Sequence, residues 1–298
     1  MSLFDQLVDQ AIGNHAELTN LRVVIEKELL HHDIMLVLSE AGLLAKLCFI
    51  GGTCLRACYG SNRLSEDLDF TGGADFNRDD FAQLRAILIE RLQTKYSLQV
   101  DVSEPSKESG NVDTWKLRVQ TRPDARHLPA QRIHIDICAI PSYMSTPRTL
   151  LNPYGVDMGT QSLILNAEAL EEIYVDKILA FALRQGRIKS RDLWDLLWLK
   201  QQKIEPALNL LAAKLNDHKV VAQVFVEKAM QRSSSLVNDP QVKTDFRNEM
   251  QRFLPAQLVE QTVNEERFWA YLTDEIPRLI RRAQNSLSPE EDTGPFMM

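Results

Sequence analysis

The sequence predicts an α/β (α+β) protein: a mixed sheet flanked by helices, followed by a helical C-terminal domain. Three observations point there. Short stretches over 98–102, 115–119 and 132–138 alternate apolar and polar residues as half-buried strands do. Apolar residues at helical spacing surround them, over 18–30, 34–44 and 78–96. From residue 201 onward there is no glycine until Gly294 and few strand-like runs, so this part reads as predominantly helical.

Composition narrows the class. With 298 residues, 44% hydrophobic and 25% charged, the chain is long enough for two domains and reads as a soluble globular protein. No uninterrupted apolar run approaches the length of a membrane span, and the acidic start MSLFDQLVDQ is not a secretory signal. A cytoplasmic protein with no membrane partner is expected. Cys48, Cys54, Cys58 and Cys138 read as reduced thiols; Cys54 and Cys58 are four apart, but no second Cys or His pair completes a zinc site. A net charge of −7 argues against a basic surface overall. Any nucleic-acid contact must be local, and two basic runs qualify: Arg184, Arg187, Lys189, Arg191, and Arg278, Arg281, Arg282. A charge run of this kind is more often an ordinary solvated face.

In chain order, helices over 18–30 and 34–44 pack beside a strand at Leu47–Ile50, and His31-His32 between them reads as a surface pair. A helix over Arg78–Tyr96 carries Phe81, Leu84, Leu88 and Leu92 on one face and covers the sheet. Strands at Leu98–Val102 and Trp115–Val119 flank a polar loop, 104–113, and form a hairpin. A Pro-containing loop, 121–129, leads to the strand ending at Cys138. Residues 140–160 hold three prolines and two glycines with little periodicity, and read as the passage between domains. The boundary is placed at residue 160. Asn166 is the expected cap of a helix carrying Leu170, Ile173, Tyr174, Ile178 and Phe181, and Ser190 that of the next. Trp194 and Trp198 in that helix read as core.

One stretch is chemically suggestive: Phe49–Phe70, FIGGTCLRACYGSNRLSEDLDF. If Asp67–Phe70 is extended, Asp67 and Asp69 share a face while Leu68 and Phe70 share the other. Two converging carboxylates repel unless a hard cation with oxygen ligands lies between them, and magnesium is the natural occupant. Gly51-Gly52-Thr53 lets backbone N–H groups approach an anion at the start of a short helix over about 53–59. Phosphate donors beside paired carboxylates suit a magnesium-bound triphosphate. Taken singly, the Gly-Gly is most often a turn and the Asp-x-Asp a solvated loop; joined in one unit, with Arg63 and Ser65 leading into the acids, they read as an NTP–metal site. By pattern alone Asp136 is an exposed strand residue, Lys177 an ordinary helix lysine, and Asp192 an acid favoured by the dipole at a helix start.

The segment GGTCLRACYG…NRLSEDLDF closely resembles the signature of the AbiEii abortive-infection toxins, a branch of the nucleotidyltransferase superfamily that includes polymerase beta. The matching residues are Gly51, Gly52, Thr53, Leu55, Arg56, Arg63, Ser65, Asp67, Asp69 and Phe70. The superfamily's usual Gly-Ser is Gly52-Thr53 here, and threonine offers the same hydroxyl. A second match is a helix lysine, Lys177, followed after a basic turn by Arg191-Asp192-x-x-Asp195-Leu196. The resemblance is specific over 47–70 and 170–199, looser between them and thin beyond 200.

The resemblance implies a nucleotidyltransferase-like catalytic domain over 1–160 and a helical domain over 161–298 that contributes to the cleft. It implies Asp67, Asp69 and Asp136 as Mg2+ ligands, with Asp136 as ligand or base. Gly51, Gly52, Thr53, Arg63, Ser65 and Lys177 would hold the NTP, and Asp192 would complete the site. The implied reaction moves NMP from an NTP to an acceptor hydroxyl, with the tRNA 3′ end as acceptor. The protein would be the toxin of a toxin-antitoxin, phage-defence system with a cognate antitoxin. Two other functions fit the sequence: a non-catalytic partner-binding protein of the same shape, and nucleotidyl or phosphoryl transfer to a protein side chain.

Overall fold

The computed structural model describes residues 2–105, 110–123 and 129–287. Residues 106–109 and 124–128 of the two predicted loops, and the end of the predicted helical tail, lie outside them. Seven strands form one mixed sheet: β1 (Cys48–Ile50), β2 (Leu68–Thr71), β3 (Val100–Ser103), β4 (Val112–Val119), β5 (Gln131–Cys138), β6 (Ser145–Thr149) and β7 (Ile164–Glu168). Their spatial order is β3-β4-β5-β2-β1-β7-β6. β1 runs antiparallel to β2 and parallel to β7, and β2 runs parallel to β5. The predicted hairpin is present, with β3 antiparallel to β4. Alternation sets the faces: Ile133, Ile135 and Ile137 are fully buried on one side of β5, leaving His134, Asp136 and Cys138 on the other.

The helices before and between these strands are α1 (Leu3–Asn14), α2 (Arg22–Glu40), α3 (Gly51–Tyr59) and α4 (Leu84–Tyr96). After the sheet come α5 (Leu170–Leu183), α6 (Ser190–Gln201), α7 (Leu211–Asp217), α8 (Ala222–Asn238) and α9 (Pro240–Met250). A single turn, α10 (Ala256–Leu258), runs into a π-helical segment at Val259–Val263, and α11 (Glu266–Asn285) follows. Buried apolar side chains form one cluster from Phe4 to Ala283. Among the described residues no helix is long and apolar enough to cross a membrane.

Four local expectations need correction. Strands β6 and β7 lie where the sequence predicts a linker and a helix start. Asn166 sits within β7, paired with Cys48 of β1, and Ala169 is the residue capping α5. The sheet captures this segment because Leu165 and Ala167 alternate into the core. Pro147 is tolerated in β6 because β6 is an edge strand. Ser190 is the first residue of α6 rather than its cap, which is Lys189. The predicted helix over 78–96 is broken into a 3-10 turn at Arg78–Phe81 and α4.

His31 and His32 are the fourth correction. They lie inside the unbroken α2 and are buried, with His31 Nε2 3.0 Å from the Glu66 carbonyl and His32 Nδ1 2.7 Å from Thr160 Oγ1. Burial lowers both pKa values, that of His32 to about 4. The unfolded chain therefore binds a proton that the native His32 refuses, so its contribution to stability is complete above about pH 6.5 and is lost as pH falls toward 4. We predict that the stability of His32→Gln relative to wild type rises as pH falls from 7 to 4.5, measured by urea unfolding; a pH-independent difference would contradict it.

Candidate active site

Two neighbouring strands and two helix starts bring the chemistry together. Asp67 immediately precedes β2 and Asp69 lies within it, while Leu68 and Phe70 point into the core. In the parallel pairing of β2 with β5, Asp69 stands directly opposite Asp136. Asp67 Oδ1 accepts the backbone N–H of His134 at 3.0 Å, which ties the acidic turn to β5. Asp136 Oδ1 is buried and has no hydrogen-bond partner. Burial, then the Asp136 carboxylate, pushes the Asp69 pKa up to about 6; Lys177 opposes this and Asp67 adds to it.

Gly51 is required by backbone and contact, Gly52 by contact alone. Gly51 has φ +75°, and a Cβ there would lie 2.9 Å from Asp69 Oδ2. A Cβ on Gly52 would lie 2.3 Å from Arg63 Nη2. Gly51-Gly52-Thr53 is the first turn of α3, so the helix starts two residues earlier than the sequence suggests. The N–H groups of a helix's first turn have no partner within the helix, and Gly52 and Thr53 line the same cavity as the carboxylates. The Thr53 hydroxyl donates to the Asp67 carbonyl and lies 2.6 Å from Ser65 Oγ. Since Thr53 uses its proton on Asp67, Ser65 donates to Thr53, and both hydroxyls brace the acidic turn from inside.

A buried ion network closes the site from the helical side. Arg63 donates through Nε and Nη2 to the two oxygens of Asp195, both at 2.9 Å, and through Nη1 to the Leu64 carbonyl at 3.0 Å. Lys177 Nζ lies 2.8 Å from Asp195 Oδ2 and 3.0 Å from Asp192 Oδ1, and Arg184 Nη2 lies 3.3 Å from Asp192 Oδ2. Burial alone would raise the Asp195 carboxyl, but Arg63 and then Lys177 hold it below the usual range. Burial opposes the charge on Lys177, but Asp195 and Asp192 raise its pKa above the usual lysine range. α5 and α6 pack together and both touch α3, which sets these side chains beside the Gly51–Thr53 turn.

The three carboxylates line one cavity of about 170 Å3 together with Gly52, Thr53, Arg63, Ser65, Lys177 and Asp192. Gly51 adjoins it through Asp69. Arg184, Lys189 and Arg191 also line it, so part of the basic run read as a candidate RNA contact is the cationic rim of the acidic pocket. Asp195 carries the pairing of Arg63 and Lys177, a role that the sequence did not assign to it. Its spacing of three from Asp192, on one helix face, is the only local signal. Among the described residues no group of three His, Cys, Asp or Glu side chains already forms a metal cage. The donor set is nonetheless of the right kind: hard carboxylate oxygens, one of them orphaned, around a carboxyl destabilised by its neighbours. All four cysteines are free thiols.

A family model described as "Nucleotidyl transferase AbiEii toxin, Type IV TA system" matches residues 33–274. The chain belongs to the AbiEii nucleotidyl transferase toxin family. The AbiEii match contains every residue of the carboxylate cluster and of the ion network, and it continues past residue 200, where the motifs are thin. Comparison with curated proteins gives no match. Among solved structures the chain is similar to JHP933 from Helicobacter pylori, at 17% identity and a TM-score of 0.44, with 88% of this chain and 97% of that one covered. It is also similar to a putative nucleotidyltransferase from H. pylori, at 18% identity and a TM-score of 0.44, covering 88% and 98%.

In this AbiEii chain, removing the shared carboxylate strips the buried Arg63 guanidinium of its carboxylate partner and leaves Lys177 with Asp192 alone. We predict that Asp195→Ala costs about 3–5 kcal/mol of stability. Urea unfolding checks this, and a loss below about 1 kcal/mol would show that the network relaxes without it.

Proposed function

We propose that this protein is a Mg2+-dependent nucleotidyltransferase that moves NMP from an NTP to an acceptor hydroxyl and acts as a toxin opposed by an antitoxin. The observation that carries this reading is the register of Asp69 against Asp136, with Asp67 beside them, under a cationic rim. In this proposal residues 1–160 carry the carboxylates, and 161–298 close the cleft with Lys177 and Arg184.

Asp67, Asp69 and Asp136 would hold Mg2+, which when bound would offset their charge and polarise the phosphoryl oxygens. The N–H groups of Gly52 and Thr53 at the start of α3, with Lys177 and Arg184, receive the triphosphate. Lys177 and Arg184 are already held by Asp192 and Asp195, so they are aimed before substrate arrives and need little reordering. Arg63 serves at one remove, its guanidinium occupied by Asp195 and the Leu64 carbonyl. Asp136 Oδ1, lacking a partner, is the open acceptor for the cation or for the proton of the attacking hydroxyl.

Asp69→Asn removes a charge at the centre of the cluster while keeping its shape. Its transfer of label from α-labelled NTP should fall at least 10²–10³-fold, roughly as for loss of an electrostatic stabiliser elsewhere. In the wild type Mg2+ affinity, followed by calorimetry, should weaken as pH falls through about 6, where protons compete for Asp69. Wild-type-like transfer by the variant would end the proposal.

The acceptor proposed is the 3′ end of tRNA, which added nucleotides would block for aminoacylation. Sequencing tRNA 3′ ends after expression in a host cell should reveal untemplated additions. Growth arrest with unaltered ends, or label that follows protein rather than RNA, would move the acceptor to another class.

A further inference from the structure

A second cavity, of about 410 Å3, adjoins the carboxylates. Thr71 and Cys138 line it, each two residues on from Asp69 and Asp136 along β2 and β5. The period of a strand puts all four on one face of the sheet, with a step of roughly 6.6–6.8 Å between the carboxylates and the new cavity. Arg184 lines both cavities and marks where they meet. On α5, Lys177 faces the smaller cavity while Asp176 and Ala180 line the larger, so one helix walls both.

The two cavities divide the chemistry. The smaller is ringed by carboxylates and cations; the larger has an apolar wall of Ile50, Val112, Leu179 and Leu183 facing a charged side that includes Glu168, Asp176, Arg184 and Lys214. A volume in the range of roughly 300–1,000 Å3, apolar walls and a few convergent polar groups are the attributes of a small-molecule pocket. One polar atom there, on Glu168, is left without a partner. Lys214 Nζ gathers Glu168, Glu172 and Asp176 at 3.4, 2.7 and 2.6 Å, three carboxyls around one cation. Glu168, 1% exposed, retains an Oε2 with no hydrogen-bond partner.

The geometry points to the larger cavity as a nucleoside pocket: Ile50, Leu179 and Leu183 pack against a base, Asp176 and Glu168 meet its polar edge, and the attached phosphate reaches the Asp69–Asp136 pair. This rests on the transferase reading above and adds to it a place for the nucleoside. Two nucleosides take part in such a reaction, that of the NTP and that ending the acceptor strand, and the same chemistry receives either.

Ala180→Phe fills the cavity and Asp176→Asn changes its polar edge, and neither touches the carboxylate cluster. Binding of the four NTPs and of inorganic tripolyphosphate would be measured with Mg2+ for wild type and both variants, along with KM for RNA. If the NTP's nucleoside lies here, Ala180→Phe weakens NTP binding at least tenfold with tripolyphosphate unchanged within twofold, and Asp176→Asn reorders the four NTPs. If the acceptor's nucleoside lies here, NTP binding is unchanged and KM for RNA rises at least tenfold in Ala180→Phe. NTP binding and RNA KM unchanged in both variants, or NTP and tripolyphosphate binding lost together, would overturn the pocket while wild-type transfer keeps the transferase reading. A wild type that neither binds NTP nor transfers label would overturn the transferase reading itself.

Discussion

A single buried carboxylate joins the two sides of the cleft. Asp195, on α6, is bidentate to Arg63, which leads into the acidic strand, and also holds Lys177 on α5. Two cations and one anion in a dry interior are tolerated only because Asp192 supplies the second negative charge and Arg184 extends the chain to the surface. The network occupies the space that a side chain at Gly52 would take, so a larger residue there would displace the Arg63 guanidinium from Asp195.

Against that frame the carboxylates of the sheet stand in tension. Asp69 and Asp136 are pressed together by strand register, and no side chain of the opposing network neutralises them directly. Lys177 moderates Asp69 through space, yet its own bonds go to Asp192 and Asp195. The fold therefore spends its cations on positioning and leaves its acids in deficit. A protein with a net charge of −7 concentrates Arg184, Lys189 and Arg191 at the rim of its acidic pocket.

Much of this was legible in the residues. Alternation around Leu68–Phe70 and Ile133–Ile137 settled which side chains face the core and which face away from it, because a strand gives each residue only two choices. The glycine turn was legible because Gly51-Gly52 ends an apolar run, whereas the positive φ of Gly51 and the contact of Gly52 with Arg63 were not. Less was legible where tertiary structure overrides local pattern. β7 looks like the start of a helix until β1 offers it a parallel partner. His31 and His32 are polar in sequence, and only the Glu66 carbonyl and the Thr160 hydroxyl, both distant in the chain, let them be buried.

By itself, then, the sequence determined the mixed sheet, the shared face of Asp67 and Asp69, and membership of a motif that extends to Lys177 and Asp192. Only the tertiary structure decided that Arg63 turns to Asp195, 132 residues away, that the basic run rims the acidic pocket, and that a second cavity continues from it. The physical reason is range. Periodicity reports the environment of a residue averaged over a face, whereas a salt bridge depends on which single charge of opposite sign the folded chain brings within about 3 Å.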